Sequence, residues 1–340
     1  MKKAVLFRVL NNKIVECEAC YHHCRIPLNK RGICGIRKNI NGQLFLMVYG
    51  RPVAVNIDPI EKKPLFHFLP GSEIFSLGTW GCNFGCLFCQ NYDISQVSKA
   101  DDFDLFEEPL EEWPPEKVAK FCLDHRILSI AYTYNEPTVW IEYAYDIMKL
   151  AHKKGIKNVW VSNGYFSEQT LKLVAPYLDA INIDLKSFSD DFYRKICQAR
   201  LAPIEENIKK LWQKNIWVEV TTLVIPQLND SEKELTQIAK FLYQISPNLP
   251  WHISAFYPAY KMIHHPSTPK ETLLKAYKIG KKVGLKYVYT GNIPDHHYES
   301  TYCPSCGELL IKREGLMVLE NKLKQNQCPF CHQIISGRFI

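Results

Sequence analysis

From residue 73 to residue 290 the chain alternates short β-rich apolar runs with stretches of helical periodicity, and few folds accept that repeat. Strands are expected over residues 74–79, 128–133, 157–162, 179–185, 216–225, 251–257 and 285–290. One intervening helix opens at Pro115, the next carries an apolar stripe of Trp140, Ala144, Ile147, Met148 and Ala151 and stops at Gly155, and Ser167 caps a third. Ile204, Ile208, Leu211 and Trp212 mark a fourth, Leu235, Ile238, Ala239, Leu242 and Ile245 a fifth, and residues 271–283 a sixth. About six or seven β/α units in series require each crossover helix to cover the sheet it returns to, so the strands run parallel. The expectation is an α/β fold with a partial parallel (β/α)6-type barrel, a doubly wound sheet being the competing topology. Parallel barrels take their reacting groups from the carboxyl ends of the strands, where the polar motifs of this chain fall.

The first strand delivers the loop Gly81-Cys82-Asn83-Phe84-Gly85-Cys86-Leu87-Phe88-Cys89-Gln90-Asn91. Its three cysteines are one too few for a closed structural zinc site, which takes four protein ligands. A cubane cluster takes one thiolate per iron. Three close thiolates therefore point to a four-iron cluster with one iron open to a ligand that is not protein, against a zinc knuckle that borrows its fourth ligand.

Of 13 cysteines, all but Cys122 and Cys197 fall into three tight groups, a distribution that suits metal sites better than disulfides. Cys17, Cys20, Cys24 and Cys34 can close a site, with zinc as the default, an auxiliary iron–sulfur cluster as competitor, and His22 or His23 as replacement ligands. Cys303, Cys306, Cys328 and Cys331 form two Cys-x-x-Cys knuckles of zinc-ribbon type, an auxiliary cluster being the lesser alternative. The expected layout is a Cys-rich module over residues 1–70, the barrel over 71–296 and a zinc-ribbon-like module over 297–340. Residues 43–56 are expected to form a strand pair turned at Gly50, and residues 59–71 a solvated, Pro-bounded connector.

The hydrophobic fraction of 46% and charged fraction of 23% belong to an ordinary globular chain. The formal charge of +7 is spread along the sequence, so nucleic acid is not an expected partner. No stretch reaches the roughly 18 apolar residues of a membrane span, and the expected location is cytoplasmic.

The Cys-x-x-x-Cys-x-x-Cys spacing of Cys82, Cys86 and Cys89 resembles that of the radical S-adenosylmethionine (radical SAM) superfamily. The resemblance implies a [4Fe-4S] cluster at these cysteines, S-adenosyl-L-methionine (SAM) at the open iron, and Phe88 near the adenine. Glu136-Pro137 resembles the end of that family's Gly-Gly-Glu-Pro motif, which binds the amino group of SAM, with Tyr134 and Asn135 in place of the glycines. Ser162-Asn163-Gly164 is similar to Thr-Asn-Gly, implying contact with ribose or carboxylate oxygens. Asp184-Leu185-Lys186 resembles a segment of the pyruvate formate-lyase-activating enzymes whose charged pair faces the cofactor, although the two side chains can also pair with each other.

Over nearly its whole length the chain resembles the radical SAM component of the AmmeMemoRadiSam system. That implies Memo-like and Ammecr-like partner proteins and a ferredoxin- or flavodoxin-type electron donor; it names no substrate. A small molecule is expected, held among Trp80, Tyr132, Thr138, Lys186, Tyr257 and His296, with Asn292 and Asp295 as weaker candidates. The alternatives are a glycyl-radical-enzyme activase and a non-catalytic ribbon module that binds nucleic acid or protein.

Overall fold

The computed structural model describes residues 1–107, 109–293 and 295–339. Two compact units emerge: residues 1–58, 73–179 and 196–199 form the first, and residues 59–72, 180–195 and 200–340 the second. The fold is α/β, with a mostly parallel sheet of eight strands.

In the first unit the strand order is Ala54–Pro59, Glu73–Gly78, Ser129–Tyr132 and Lys157–Ser162. The last three pair in parallel, Leu77 opposite Tyr132 and Tyr132 opposite Trp160. All four residues of Ser129–Tyr132 are buried, as befits a strand covered on both faces. Helix Pro115–Asp124 has proline at its first position, where the missing N–H costs nothing. Helix Ile141–Lys153 buries Ala144, Ile147, Met148 and Ala151 as their spacing requires, and Ser167 caps helix Glu168–Val174 by accepting from Thr170 N.

The amino-terminal part adds two three-stranded antiparallel sheets, one of Lys2–Lys3, Gln43–Leu46 and Arg37–Ile40, the other of Phe7–Val9, Val15–Cys17 and Arg25–Ile26. Arg37 comes from the first of these and forms a two-pronged pair with Glu142, at 2.9 and 2.7 Å, with both side chains buried. The expected strand pair over residues 43–56 does not form. Gln43–Leu46 pairs with Arg37–Ile40, while Ala54–Pro59 joins the large sheet, because the turn at Gly50 separates two strands that have different partners.

In the second unit Ala180–Asp184, Trp217–Val224, Trp251–Ala255 and Val288–Gly291 run parallel in that order. Helices Ala202–Gln213, Glu232–Ile245 and Lys270–Val283 alternate with them. The last ends at Gly284, whose φ of +110° is open to glycine and strained for other residues.

The segment over residues 59–71 is not a solvated loop. Leu65, Phe66, His67 and Phe68 are buried, because the backbone N–H groups of Phe66 and His67 donate to the buried carboxylate of Glu219, at 3.0 and 2.8 Å. Glu219 also accepts from Trp217 Nε1 and pairs with His252 Nε2 at 2.6 Å. Glu61 meets Arg313 at 3.4 Å, and Arg313 donates to the Phe66 carbonyl, so the segment is tied to the carboxyl-terminal strands by buried charge.

His67 is fully buried, with its ring between the Ser336 carbonyl and the Tyr289 hydroxyl, and burial pushes its pKa down to about 4. An unfolded histidine binds a proton near pH 6.5, so the unfolded chain holds more protons between pH 6.5 and about 4, and folding stability falls as pH drops through that window. The loss from this residue is expected to be about 3 kcal/mol. His67→Gln keeps hydrogen-bonding capacity without titrating, so urea denaturation midpoints measured from pH 7 to pH 4 should fall less steeply for the variant than for the parent.

Candidate metal centres

Strand Glu73–Gly78 ends just before the three-cysteine loop, and a set of polar side chains grips the loop's backbone. Asn135 Nδ2 donates to the carbonyls of Gly81 at 2.7 Å and Trp80 at 3.2 Å, while its Oδ1 accepts from Trp140 Nε1. Lys99 Nζ and Gln96 Nε2 both donate to the Phe84 carbonyl. Asn91 Nδ2 donates to the carbonyl of Tyr134, which has φ +70°, a region that glycine enters without strain. Tyr134 in turn donates its hydroxyl to Asp58. The two residues that stand in place of glycines therefore brace the cysteine loop.

Within the loop, Phe84 N–H donates to Cys82 Sγ at 3.4 Å and Ser95 Oγ lies 3.1 Å from Cys89 Sγ. Burial pushes the Cys82 thiol up, and the nearby Glu136 carboxylate adds to that shift. Among the described residues, no three metal-ligating side chains that include Cys82, Cys86 or Cys89 bring their ligand atoms within 4.8 Å of one another. That spread does not suit a single zinc ion. In a cubane each thiolate sits one iron further from the centre, so its sulfurs need not come that close.

Glu136 is 1% exposed, and every donor to its carboxylate is neutral: Thr138 N and Oγ1, Ser162 Oγ and Asn163 N. Burial pushes its pKa up from the ordinary glutamate value, against the pull of these bonds. Among the described residues no cation pairs with it. A buried carboxylate without a counter-charge is costly, and the Glu136 and Ser162 side chains form one cluster with the backbone N–H of Asn163. Asn163 Nδ2 donates to Asn83 Oδ1 at 2.7 Å, which connects this cluster to the cysteine loop.

Phe88 is buried. Asp184 and Lys186, in the second unit, pair with each other at 2.9 Å. Of the substrate-pocket candidates, Tyr132 is wholly buried with its hydroxyl on Asn158, so it faces the interior and lines no open pocket. Asp295 caps a short helix and pairs with Lys270, and Asn292 donates to Ser254. His22 uses Nε2 on the Asn83 carbonyl, so that nitrogen is not directed at the neighbouring cysteines. Asn91, Lys99 and Asn135 received no role in the sequence because what they do is hold backbone carbonyls, at Tyr134, Phe84, Trp80 and Gly81, and only the Asn-rich flanks of the cysteine motif hint at it.

In the carboxyl-terminal module the Sγ atoms of Cys303, Cys306, Cys328 and Cys331 all lie within 4.8 Å of one another. The separations are 3.6 Å between Cys303 and Cys331 and 3.7 Å between Cys306 and Cys328. Metal–sulfur bonds of about 2.3 Å in a tetrahedron put the sulfurs about 3.8 Å apart. The quartet thus has the dimensions of a closed, single-ion site. Its apolar support is a small cluster around Phe66, Tyr287, Tyr289, Leu310, Ile311 and Ile335.

The family model described as the radical SAM superfamily matches residues 78–242. An uncharacterized protein of Methanocaldococcus jannaschii is 41% identical over 338 residues, which is 98% of this chain and 99% of that protein. Residues 78–242 of the chain form a radical SAM superfamily domain. A second M. jannaschii protein, provisionally named a glycyl-radical enzyme activating enzyme, is 26% identical over 64% of this chain and 79% of its own length. Among solved structures, SuiB of Streptococcus suis bound to the precursor peptide SuiA aligns with a TM-score of 0.50 at 13% identity, covering 68% of this chain and 51% of SuiB, a likeness of fold alone. Members of this superfamily in general cleave SAM to a radical. No helix among the described residues is long and apolar enough to cross a membrane.

Gly81 has φ +90°, and a Cβ there would stand 2.5 Å from the Cys34 carbonyl oxygen. Gly81→Ala is expected to cost at least about 1–3 kcal/mol of backbone strain and to lower the iron retained after anaerobic desalting, read by metal analysis beside a denaturation curve. For the carboxyl-terminal quartet, Cys328→Ala or stripping by a strong chelator should lower the thermal midpoint by about 10 °C. A metal assay on the untreated chain should give one ion at this site.

Proposed function

We propose that the chain binds a [4Fe-4S] cluster through Cys82, Cys86 and Cys89 and uses it to cleave SAM reductively, with the carboxyl-terminal quartet holding a structural zinc. When bound, the cluster supplies the electron that splits the sulfonium and releases the 5′-deoxyadenosyl radical, which takes hydrogen from a substrate. The chain's own part is to hold and orient. Asn135, Lys99 and Gln96 fix the carbonyls of the loop that carries the three sulfurs.

The observation that carries the SAM reading is the buried Glu136 carboxylate, which lacks a cation of its own and is close enough to Cys82 to shift that thiol. The ammonium group of SAM is the charge it lacks. Ser162 and Asn163 hold that carboxylate, and in this reading they also contact the ribose or carboxylate oxygens of SAM, with Phe88 near the adenine. Asp184 and Lys186 contribute the cofactor contact that the resemblance implies. Their mutual ion pair would then open or share a partner on binding.

The reading extends to the AmmeMemoRadiSam system, in the cytoplasm, with Memo-like and Ammecr-like proteins and a ferredoxin- or flavodoxin-type donor. The substrate in this reading is a small molecule. A second reading, a glycyl-radical-enzyme activase, is favoured by the named relative. Against it, Ala255-Phe256-Tyr257-Pro258 has no histidine after the aromatic-proline pair.

Anaerobically reconstituted protein with dithionite should release 5′-deoxyadenosine from SAM, and Cys86→Ala should abolish release. Continued release by the Cys82, Cys86 and Cys89 triple-alanine variant would sink the assignment. Glu136→Ala should weaken SAM binding by about 10- to 100-fold, the value of one hydrogen-bonded charge, as measured by equilibrium dialysis. Deuterium transfer into 5′-deoxyadenosine from size-separated, deuterated cell extract tests the substrate class, and label coming only from the macromolecular fraction would favour the activase.

A further inference from the structure

Cys17, Cys20, Cys24 and Cys34 line one pocket in the first unit, together with Arg37, Asn83 and Val139. The superfamily's three-cysteine motif lies outside this quartet, and the fold does not need a buried row of thiols there. Three of the four are 5–7% exposed.

Two buried donors on the wall of the pocket have no partner. Arg37 uses its terminal nitrogens on Glu142 and on the Val139 carbonyl, yet its Nε has none. Asn83 accepts at Oδ1 and at its backbone carbonyl, yet its Nδ2 has none. Each orphan N–H costs about 1–3 kcal/mol unless something in the pocket accepts from it. Both residues are about 98–99% buried, so water outside the pocket cannot serve them.

The acceptor has to be held by four sulfurs, and their spacing separates the two kinds of centre. In the carboxyl-terminal quartet the sulfurs lie within 4.8 Å of one another, as one tetrahedral ion requires. Among the described residues, no three ligand atoms of the amino-terminal quartet meet that limit. We infer that Cys17, Cys20, Cys24 and Cys34 hold a second iron–sulfur cluster, whose bridging sulfides accept hydrogen bonds from Arg37 Nε and Asn83 Nδ2.

Inorganic sulfides face outward between the thiolates and offer acceptors that a zinc ion does not carry, and such bonds tune the reduction potential of a cluster. The site also adjoins the three-cysteine loop. Asn83 follows Cys82 directly in the chain, and the Cys34 carbonyl lies close against Gly81.

The test uses the full-length triple-alanine variant at Cys82, Cys86 and Cys89, reconstituted with iron and sulfide, so it does not depend on SAM chemistry. This variant should retain acid-labile sulfide and show an electron paramagnetic resonance signal on reduction, and both should vanish when Cys20→Ala and Cys34→Ala are added. Zinc without sulfide in the triple-alanine variant, or sulfide that survives the two added substitutions, overturns the inference. In the parent chain, which needs no substitution to fold, sulfide should exceed the roughly four per chain that a single cubane explains; a total of about four overturns it. Asn83→Ala in the triple-alanine background should move the reduction potential of the retained signal to more negative values, since the donated bond favours the reduced cluster. An unchanged potential overturns the assigned Asn83 bond.

Discussion

Much of the first unit depends on how one short loop holds three thiols apart without a fourth. A backbone loop that carries ligands for an open site cannot rely on the metal to order it completely, because the working coordination position must stay free of protein. The order is supplied from outside the loop. Asn135 reaches the Gly81 and Trp80 carbonyls, Lys99 and Gln96 share the Phe84 carbonyl, and the left-handed Tyr134 is pinned by Asn91 and Asp58. These are neutral or singly charged bonds of modest net worth each, about 0.5–3 kcal/mol. Their value lies in convergence on the carbonyls of Trp80, Gly81 and Phe84, on either side of Cys82.

That convergence explains the departure from the usual glycine pair before Glu136-Pro137. Glycines there would allow the backbone its positive φ without strain but would leave the cysteine loop unsupported. Tyr134 accepts the strained conformation, at a cost of about 1–3 kcal/mol, and offsets it with a hydroxyl bond to Asp58, while Asn135 supplies the loop clamp. What looked in the sequence like a weakened motif is, in the structure, the brace of the neighbouring one.

The alternation of strands and helices was legible because periodicity and caps act locally. Ser167 capping Thr170, the stop after Val283 at Gly284 and the stripe through Ala144, Ile147, Met148 and Ala151 all lie where short-range chemistry puts them. Pairing over distance was not legible. Residues 43–56 have the local look of a hairpin, but their partners are Arg37–Ile40 on one side and the large sheet on the other. The segment over residues 59–71 looked polar because of Glu61, Lys62, Lys63 and His67, and nothing local announced that Glu219 and Arg313 would bury it. The cysteines could be grouped by spacing, while the spread of their sulfurs, which separates a single ion from a cluster, is a property of the folded backbone alone.

Charge gives the same lesson at finer scale. Arg37 and Glu142 satisfy each other in a geometry where neither could stay buried alone, so removing either partner costs about 3–5 kcal/mol. Glu136 is as deeply buried and has only neutral donors around it. A structure that compensates one buried carboxylate fully and leaves another without a cation is not indifferent to charge. The uncompensated one sits beside the cysteine loop, just beyond the carboxyl end of strand Ser129–Tyr132, and its missing counter-charge is the physical ground on which the proposed binding of a cationic cofactor rests.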